Sequence, residues 1–300
     1  MKTFKIISIN ILVFVLLFII LECISFFILK RQGEDLPVYH YIKNPEIIDK
    51  QELLRPIVYG KKGAIAIFGC SFAYGFDLPF EESFSYRLNA VTDKTIINLA
   101  FPGEGPAFMY ELLQDKNTLE ILKKLNPEIF IYVNIPGHNV RHLNYRAHGY
   151  NSSLFAIKYK LEKGKLVKNQ PSPIFYFLHI PYTAIIIEDF ISLIQKEDTK
   201  RLNKEFTMLI SNSYEIIKKK FPNSKFVIIY YPDGIDSTIH DLHPEYIAIL
   251  ESINDDIQII NINEEIKDLS DKKYWLNDLS HPSSFAWEKI TQIIKKKLLI

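Results

Sequence analysis

The sequence predicts an α/β protein with a parallel five-stranded β-sheet, preceded by one transmembrane helix. Five short apolar runs alternate with stretches of amphipathic helical spacing. The runs are almost continuously apolar, which is typical of strands buried on both faces of a parallel sheet. Before them, residues 6–29 form one almost wholly apolar stretch, which is long enough to cross a bilayer as a helix.

The N-terminal stretch predicts a single membrane anchor within residues 1–31. Lys2 and Lys5 precede the apolar residues, and Lys30 and Arg31 follow them. A cleavable signal peptide is the alternative, but the stretch is long for a signal core and no small-x-small cleavage site follows it. Because the N-terminal tail is very short, we expect a single-pass membrane protein whose folded domain is extracytoplasmic. Residues 32–62 are predicted to be a linker and an irregular lead-in.

Residues 63–300 are predicted to form the folded domain. Each apolar run ends at turn-forming residues: the first at Gly69, the second at Pro102 and Gly103, and the third at Pro136 and Gly137. The predicted strands are residues 64–68, 95–99, 128–135, 225–231 and 257–262. The predicted helices are residues 83–91, 107–125, 200–221, 244–254 and 283–298. Residues 140–199 are irregular and rich in aromatic side chains, so we interpret them as an insertion that forms a lid or a wall facing the substrate.

Composition excludes several classes of protein. The chain has 300 residues, of which 48% are hydrophobic and 24% charged, so it can bury a sizeable core. A net charge of +1 argues against a nucleic-acid partner, which calls for a basic excess. Two cysteines, Cys23 and Cys70, do not make a disulfide framework.

Residues with chemical potential follow the predicted strands. Ser71 comes two residues after the glycine that ends the first strand, and a serine on such a turn is a common place for a nucleophile. Gly103 follows the second strand, and its backbone N–H can approach a ligand closely. Near the C-terminus, Asp278 and His281 are three residues apart, so in a helix-like turn the carboxylate can orient the imidazole.

These motifs resemble, in order, the conserved blocks of the SGNH hydrolases (GDSL esterases and lipases). Residues 69–75 (GCSFAYG) resemble the Gly-Asp-Ser block, residues 98–103 the second block, residues 137–140 (GHNV) the Gly-x-Asn-Asp block, and residues 278–281 the final Asp-x-x-His block. The resemblance covers about residues 63–294. It implies a three-layer α/β/α sandwich similar to flavodoxin.

The resemblance also implies roles for individual residues. Ser71 would be the nucleophile, His281 the general base and acid, and Asp278 the acid that orients His281. The oxyanion hole would be formed by the backbone amides of Ser71 and Gly103 and the side chain of Asn139. His138, beside Asn139, is the reserve donor, since a neutral imidazole can also donate to an oxyanion.

Two positions depart from the family pattern. Cys70 replaces the usual aspartate of the first block, a position that has no catalytic role. Val140 replaces the aspartate of the third block, so that match depends on Gly137 and Asn139 alone.

Two other kinds of site are disfavoured. An α/β-hydrolase elbow needs glycine where this chain has Ala73, and its serine follows several strands, not the first. A metal site could use His138, His142 and His148, but the glutamate of the zinc-protease motif is absent. We expect no metal and no cofactor.

The sequence thus predicts a serine esterase that hydrolyses an O-acyl ester, with an O-acetyl group on an envelope carbohydrate as the first substrate to test. The substrate partner is a small-molecule or carbohydrate ester, and the membrane is contacted through the N-terminal helix. The alternatives are an O-acyltransferase that uses the same triad and a non-catalytic, anchored carbohydrate-binding scaffold.

Overall fold

The computed structural model describes residues 13, 15–21, 23–24, 55–139, 159–168, 199–236 and 244–298. The chain divides into two compact units. One comprises Met1–Asp49, Tyr145–Tyr150 and Gln170–Lys196; its described residues, all between positions 13 and 24, are helical with exposed side chains. The other comprises Lys50–Asn144, Asn151–Asn169 and Glu197–Ile300 and contains the α/β fold.

Five strands of the second unit form one parallel sheet, as predicted. The strands of this unit are β1 (Ala64–Phe68), β2 (Thr95–Asn98), β3 (Ile129–Asn134), β4 (Tyr159–Glu162), β5 (Lys165–Lys168), β6 (Lys225–Tyr230) and β7 (Gln258–Asn261). The sheet order is β2-β1-β3-β6-β7, and every neighbouring pair is parallel. This is the flavodoxin-like order, in which ligands bind at the carboxyl ends of the strands where the strand order reverses, between β1 and β3.

Helices cover the sheet. They are α1 (Ser71–Tyr74), α2 (Phe84–Thr92), α3 (Pro106–Leu112), α4 (Lys116–Leu125), α5 (Thr199–Lys220), α6 (Pro244–Glu251), α7 (Ile262–Glu265) and α8 (Ser284–Leu298). The predicted helix at residues 107–125 is wrong in one respect, because it is two helices. Asp115 begins the second one by accepting a hydrogen bond from the amide of Thr118 at 2.8 Å, which is the usual way that an aspartate caps a helix start.

The core lies on both faces of the sheet because side chains alternate along each strand. In β1, Ile65 and Ile67 contribute to one apolar cluster, and Ala64, Ala66 and Phe68 contribute to the other.

The first face is covered by α2 and α8, whose Phe84 and Trp287 rings stack with centroids 4.5 Å apart. The second face is covered by α3, α4, α5 and α6, which bury side chains such as Leu122, Phe206 and Leu250. The result is a three-layer sandwich whose strand ends present their loops at one edge.

Residues 159–168, the part of the predicted insertion that the structure describes apart from Thr199, contain an element that was not predicted. The strands β4 and β5 form an antiparallel hairpin that turns at Lys163 and Gly164, both with positive φ. Tyr159 of the hairpin packs with Leu209 of α5 and Ala107 of α3. Residues 140–158 and 169–198 lie outside the described residues, so the predicted lid stays a prediction.

The predicted anchor, residues 6–29, lies largely outside the described residues as well. Among the helices that the structure describes, none combines the length and the apolar character needed to span a bilayer. The domain boundaries predicted at residues 31 and 62 also stay predictions.

Candidate active site

Ser71 stands on a tight turn that only particular residues can form. The backbone of Gly69 has φ +149°, and a Cβ there would lie 2.9 Å from the carbonyl oxygen of Val133 on β3. Helix α1 then begins at Ser71 and ends after four residues at Gly75, which has φ +78° in the left-handed region. A side chain at either glycine is therefore strained, which explains the predicted pattern Gly-x-Ser-x-x-x-Gly in physical terms.

Asn98, at the end of β2, ties this turn to the neighbouring strand. Its side-chain amide donates to the carbonyl oxygen of Ala73 at 2.8 Å, and its carbonyl oxygen accepts from the amide of Ala100 at 3.0 Å. The residue is 2% exposed. Both bonds replace water that the buried groups have lost, so Asn98 holds two of the strand-end loops together.

Asp278 and His281 lie on a loop that folds back on itself. The amide of Leu276 donates to the carbonyl oxygen of His281 at 2.8 Å, and Leu279 turns the chain with φ +55°. Inside this loop, Asp278 Oδ1 accepts from the amides of Ser280 and His281, and Oδ2 lies 2.5 Å from His281 Nδ1. The spacing of three residues thus brings carboxylate and imidazole together, as predicted.

The other imidazole nitrogen reaches Ser71. His281 Nε2 lies 2.9 Å from Ser71 Oγ, although the two residues are 210 positions apart in the chain. Nδ1 faces the carboxylate, so that nitrogen carries the proton and Nε2 is left to accept the hydroxyl hydrogen of Ser71. The three side chains form the hydrogen-bonded series that acyl transfer by serine needs.

Two aromatic rings hold the imidazole in place. The Phe72 and Phe76 ring centroids lie 5.1 and 5.2 Å from the centroid of the His281 ring. Phe72 is buried, whereas Phe76 is 43% exposed and borders the solvent side. The ring of His281 therefore has little rotational freedom while its edge stays accessible.

The environment of Asp278 keeps its carboxylate ionised. Partial burial opposes ionisation, but the hydrogen bonds from the amides of His281 and Ser280 and from the His281 ring outweigh it, and the pKa of Asp278 is lowered from its ordinary value. The carboxylate can therefore stabilise an imidazolium during a proton transfer.

Two of the predicted oxyanion donors, Ser71 and Gly103, lie shortly after β1 and β2. Ser71 is the first residue of α1, where backbone N–H groups have no partner within the helix. Gly103 has φ +78° in the turn that follows β2, and Gly105 is the N-cap residue directly before α3.

The third loop is a 3₁₀ turn, Pro136–Asn139, at the end of β3. The side-chain Nδ2 of Asn139 donates to Asn203 Oδ1 of α5 at 2.9 Å, and His138 is fully buried with Nδ1 2.7 Å from the hydroxyl of Tyr132. Each side chain is thus fixed by the fold, and the choice between them as the third donor stays a prediction. His142 and His148 lie outside the described residues.

One residue of the site was missed by the sequence analysis. Arg55, in the predicted lead-in, donates to the carbonyl oxygens of Tyr74, Gly75 and Leu78, around the end of α1. No local pattern marks this arginine, because its partners are backbone groups about 20 positions away.

No protein-family model matches the sequence, and no curated protein matches it. Solved structures do match. The lipase Lip_vut3 from a goat rumen metagenome has 10% sequence identity, with a TM-score of 0.50 over 78% of this chain and 97% of that chain.

The chain shares its fold with that lipase. Other similar structures include TesA, with 9% identity and a TM-score of 0.45 over 78% of this chain and 97% of that one. The psychrotrophic esterase EstA from Pseudoalteromonas sp. has 13% identity and a TM-score of 0.43 over 80% and 100%. Further matches are described as GDSL-like lipases. At these identities the likeness bears on the fold alone, so function has to be argued from the residues of the site.

Proposed function

We propose that this chain is a serine ester hydrolase with Ser71 as nucleophile, His281 as general base and acid, and Asp278 as the orienting acid. The observation that carries the proposal is the 2.9 Å contact of Ser71 Oγ with His281 Nε2, combined with the 2.5 Å contact of His281 Nδ1 with Asp278. Residues from the two ends of the domain meet in the order that nucleophilic catalysis requires.

The geometry supports a two-step reaction. His281 Nε2 accepts the proton of Ser71 as Oγ attacks the ester carbonyl, and Asp278 stabilises the imidazolium that forms. The imidazolium then gives the proton to the leaving alcohol, and an acyl group remains on Ser71. Water, deprotonated by His281, attacks the acyl carbonyl; the bond to Ser71 Oγ then breaks, the imidazolium returns the proton to Oγ, and the acid is released.

The oxyanion formed in both steps needs positioned donors. In this proposal they are the amides of Ser71 and Gly103 and the side chain of Asn139 or His138. Support comes from the helix start at Ser71 and from the left-handed backbone of Gly103 in the neighbouring loop.

An O-acyl group carried by a large alcohol, such as a carbohydrate, is the substrate class that we propose. Among the described residues, three at the rim of the site are exposed: the side chain of Asp278 is 43% exposed, and Phe76 and Leu279 are 43% and 37% exposed. Such a rim leaves room for a bulky alcohol while the acyl carbonyl lies at Ser71. An O-acyltransferase would use the same acyl-enzyme, so a sugar acceptor that raises the yield of transferred acetyl over free acetate would favour that activity.

The membrane anchor predicted at residues 6–29 belongs to the same proposal, with the folded domain extracytoplasmic. Support comes from Val15–Leu21, which are helical, and whose apolar side chains are between 43% and 55% exposed. We expect the full chain in the membrane fraction after alkaline extraction. Replacing Leu17 and Ile20 by arginine should release it, since a charge near a helix centre costs about 3 kcal/mol on insertion. Release of the unaltered chain under the same extraction would contradict the anchor.

Covalent labelling tests the hydrolase. We expect the protein to hydrolyse a nitrophenyl acetate and to be labelled by a fluorophosphonate on Ser71, with both activities lost in Ser71→Ala. Ser252→Ala is the matched control, because that exposed serine bonds only within its own helix end. Retained labelling in Ser71→Ala would overturn the assignment of the nucleophile.

A further inference from the structure

We propose that Arg55 is a positioning residue. It holds the nucleophile turn, residues 69–75, in its position relative to the His281 ring. The inference deepens the proposed hydrolase function and rests on it. Arg55 belongs to the segment before the sheet, and it touches neither Ser71 nor His281 in any contact that the structure records. Its effect passes through the backbone between Ser71 and Leu78.

The guanidinium group of Arg55 binds three carbonyl oxygens. Nε donates to Tyr74 at 3.1 Å, and Nη2 donates to Gly75 at 2.8 Å and to Leu78 at 3.3 Å. The same group lies over the Tyr74 ring, 4.4 Å from its centroid, and 6.0 Å from that of Phe80. Several donors in one fixed plane and a stacked ring define a single orientation of the arginine, which lysine cannot reproduce.

Helix α1 needs this support because it is too short to be stable alone. Four residues form barely one turn, and the carbonyl groups at a helix end have no partner within the helix. A cation at the C-terminal end of a helix also interacts favourably with the helix dipole. Arg55 supplies both the donors and the charge at the end opposite to Ser71.

The residues whose carbonyls bind Arg55 are connected to both Ser71 and His281. Gly75, whose carbonyl oxygen accepts from Arg55, donates its own backbone amide to the carbonyl oxygen of Ser71 at 3.1 Å, so Arg55 restrains Ser71 through Gly75. Phe76 lies between the bound carbonyls of Gly75 and Leu78, and its ring packs on the imidazole of His281. A single guanidinium therefore restrains the hydroxyl from one side and the imidazole from the other.

A purely stabilising role predicts a different result from a positioning role. Proton transfer from Ser71 to His281 depends on a hydrogen bond whose geometry tolerates little movement, and a misplacement of about 1 Å can cost about 100-fold in rate. Loss of a positioning residue therefore lowers kcat in protein that is still folded, whereas loss of a merely stabilising residue lowers the melting temperature alone.

The test compares Arg55→Ala and Arg55→Lys with Lys218→Ala in the full chain. Lys218 is a matched control: it also donates to backbone carbonyls at a helix end, those of Pro222 and Ser224, both at 3.1 Å. Its partners precede β6, at the N-terminal ends of the strands, whereas Ser71 lies at the C-terminal ends. The assays are nitrophenyl acetate hydrolysis and the rate of fluorophosphonate labelling, both well below each variant's melting temperature.

We expect Arg55→Ala to lower kcat and the labelling rate by about 10- to 100-fold, with KM within about twofold. Arg55→Lys should recover only part of the loss. Added guanidinium should restore part of the activity of Arg55→Ala and none in Lys218→Ala. Labelling of Arg55→Ala at the unaltered rate, or an equal loss in Lys218→Ala, would overturn the proposal.

Amide hydrogen exchange separates this inference from the hydrolase proposal. If the unaltered protein is not labelled at Ser71, the hydrolase proposal fails, but exchange at Gly75 and Phe76 still reports on Arg55. Faster exchange at these amides in Arg55→Ala, with the Lys218→Ala protein unchanged there, supports positioning of the turn. Unchanged exchange in Arg55→Ala contradicts it whatever the enzymatic result.

Discussion

At the scale of single residues, Asp278 has two tasks in the site. Its Oδ1 accepts hydrogen bonds from the backbone amides of Ser280 and His281 and so shapes the loop, while Oδ2 contacts Nδ1 of the His281 ring. The first task needs only an acceptor oxygen, which an asparagine also provides. The second needs a negative charge, because the imidazole must keep its proton on Nδ1 to leave Nε2 free for Ser71.

Asp278→Asn should therefore separate the two tasks. We expect a loss of about 10²- to 10⁴-fold in kcat/KM, since an amide NH₂ facing Nδ1 favours the wrong tautomer of His281. The melting temperature should change little, because the Oδ1 contacts can persist. Steady-state kinetics and a thermal unfolding curve measure both effects. A variant with unaltered kcat/KM would show that the carboxylate has no part in catalysis.

The ionisation of Asp278 also predicts how stability depends on pH. Burial opposes ionisation, but the hydrogen bonds to Asp278 lower its pKa in the folded state below that of an unfolded aspartate, about 3.9. A lowered folded pKa contributes stability that is present above the unfolded pKa and is lost as the pH falls through the folded one.

The free energy of unfolding, measured with urea from neutral pH to pH 2, should show this contribution. The difference between the unaltered protein and Asp278→Asn is expected to diminish as the pH falls below about 4. Because the side chain is 43% exposed, solvent screening keeps the difference small. A difference that grows as the pH falls below about 4 would contradict the lowered pKa of Asp278.

At the scale of elements, the nucleophile turn depends on the backbone of Gly75. Two glycines offer a comparison, since Gly75 and Gly164 have φ of +78° and +79°. A Cβ at Gly75 would lie 2.8 Å from the Cβ of Ser83, whereas a Cβ at Gly164 would meet nothing within 4 Å. The substitutions therefore share the conformational cost and differ in the clash.

Gly164→Ala should cost about 1–2 kcal/mol in the free energy of unfolding, the cost of a left-handed alanine. Gly75→Ala should cost more, and it should also lower the proposed hydrolysis of nitrophenyl acetate, because relief of the clash displaces α1. Urea denaturation and nitrophenyl acetate kinetics of both variants check this. Equal losses of unfolding free energy in the two variants would contradict a costly clash at Gly75.

The elements that could be predicted from the sequence are those with a strong local signal. The strands β1 and β3 were found because long apolar runs end at glycine or proline, and α8 because its apolar side chains recur at helical spacing. The break at Asp115 was missed, since the apolar spacing continues through it and only the capping hydrogen bond reveals the second helix. The hairpin at residues 159–168 was missed because its strands are half polar and packed on one side only.

At the scale of the whole molecule, the site depends on contacts between distant parts of the chain. Ser71, Gly103 and His281 could be named as candidate site residues from the sequence, because each follows a strand or precedes a helix with a clear pattern. Arg55 could not, since its partners are backbone carbonyls that any sequence supplies. The assignment of the third oxyanion donor is equally out of reach, because Asn203, which fixes Asn139, is 64 positions away.

The separation of 210 positions between Ser71 and His281 predicts that reactivity disappears with the global fold. The two residues are held by elements on the same buried sheet, so no local segment can form the pair by itself. We expect fluorophosphonate labelling of Ser71 and the helical circular dichroism signal to be lost over the same range of urea concentration, as in a cooperative transition.

Cys70 gives an independent measure of the same event, because its thiol is buried beside Ser71 and becomes reactive only when the turn opens. In a Cys23→Ser protein, which lacks the exposed thiol, modification of Cys70 should rise over the urea range in which labelling of Ser71 falls. Coincidence of the three curves would show that the nucleophile turn shares the stability of the sheet. Loss of labelling and exposure of Cys70 at lower urea than the loss of helix would instead show that the turn opens locally, and would contradict a site held by the global fold.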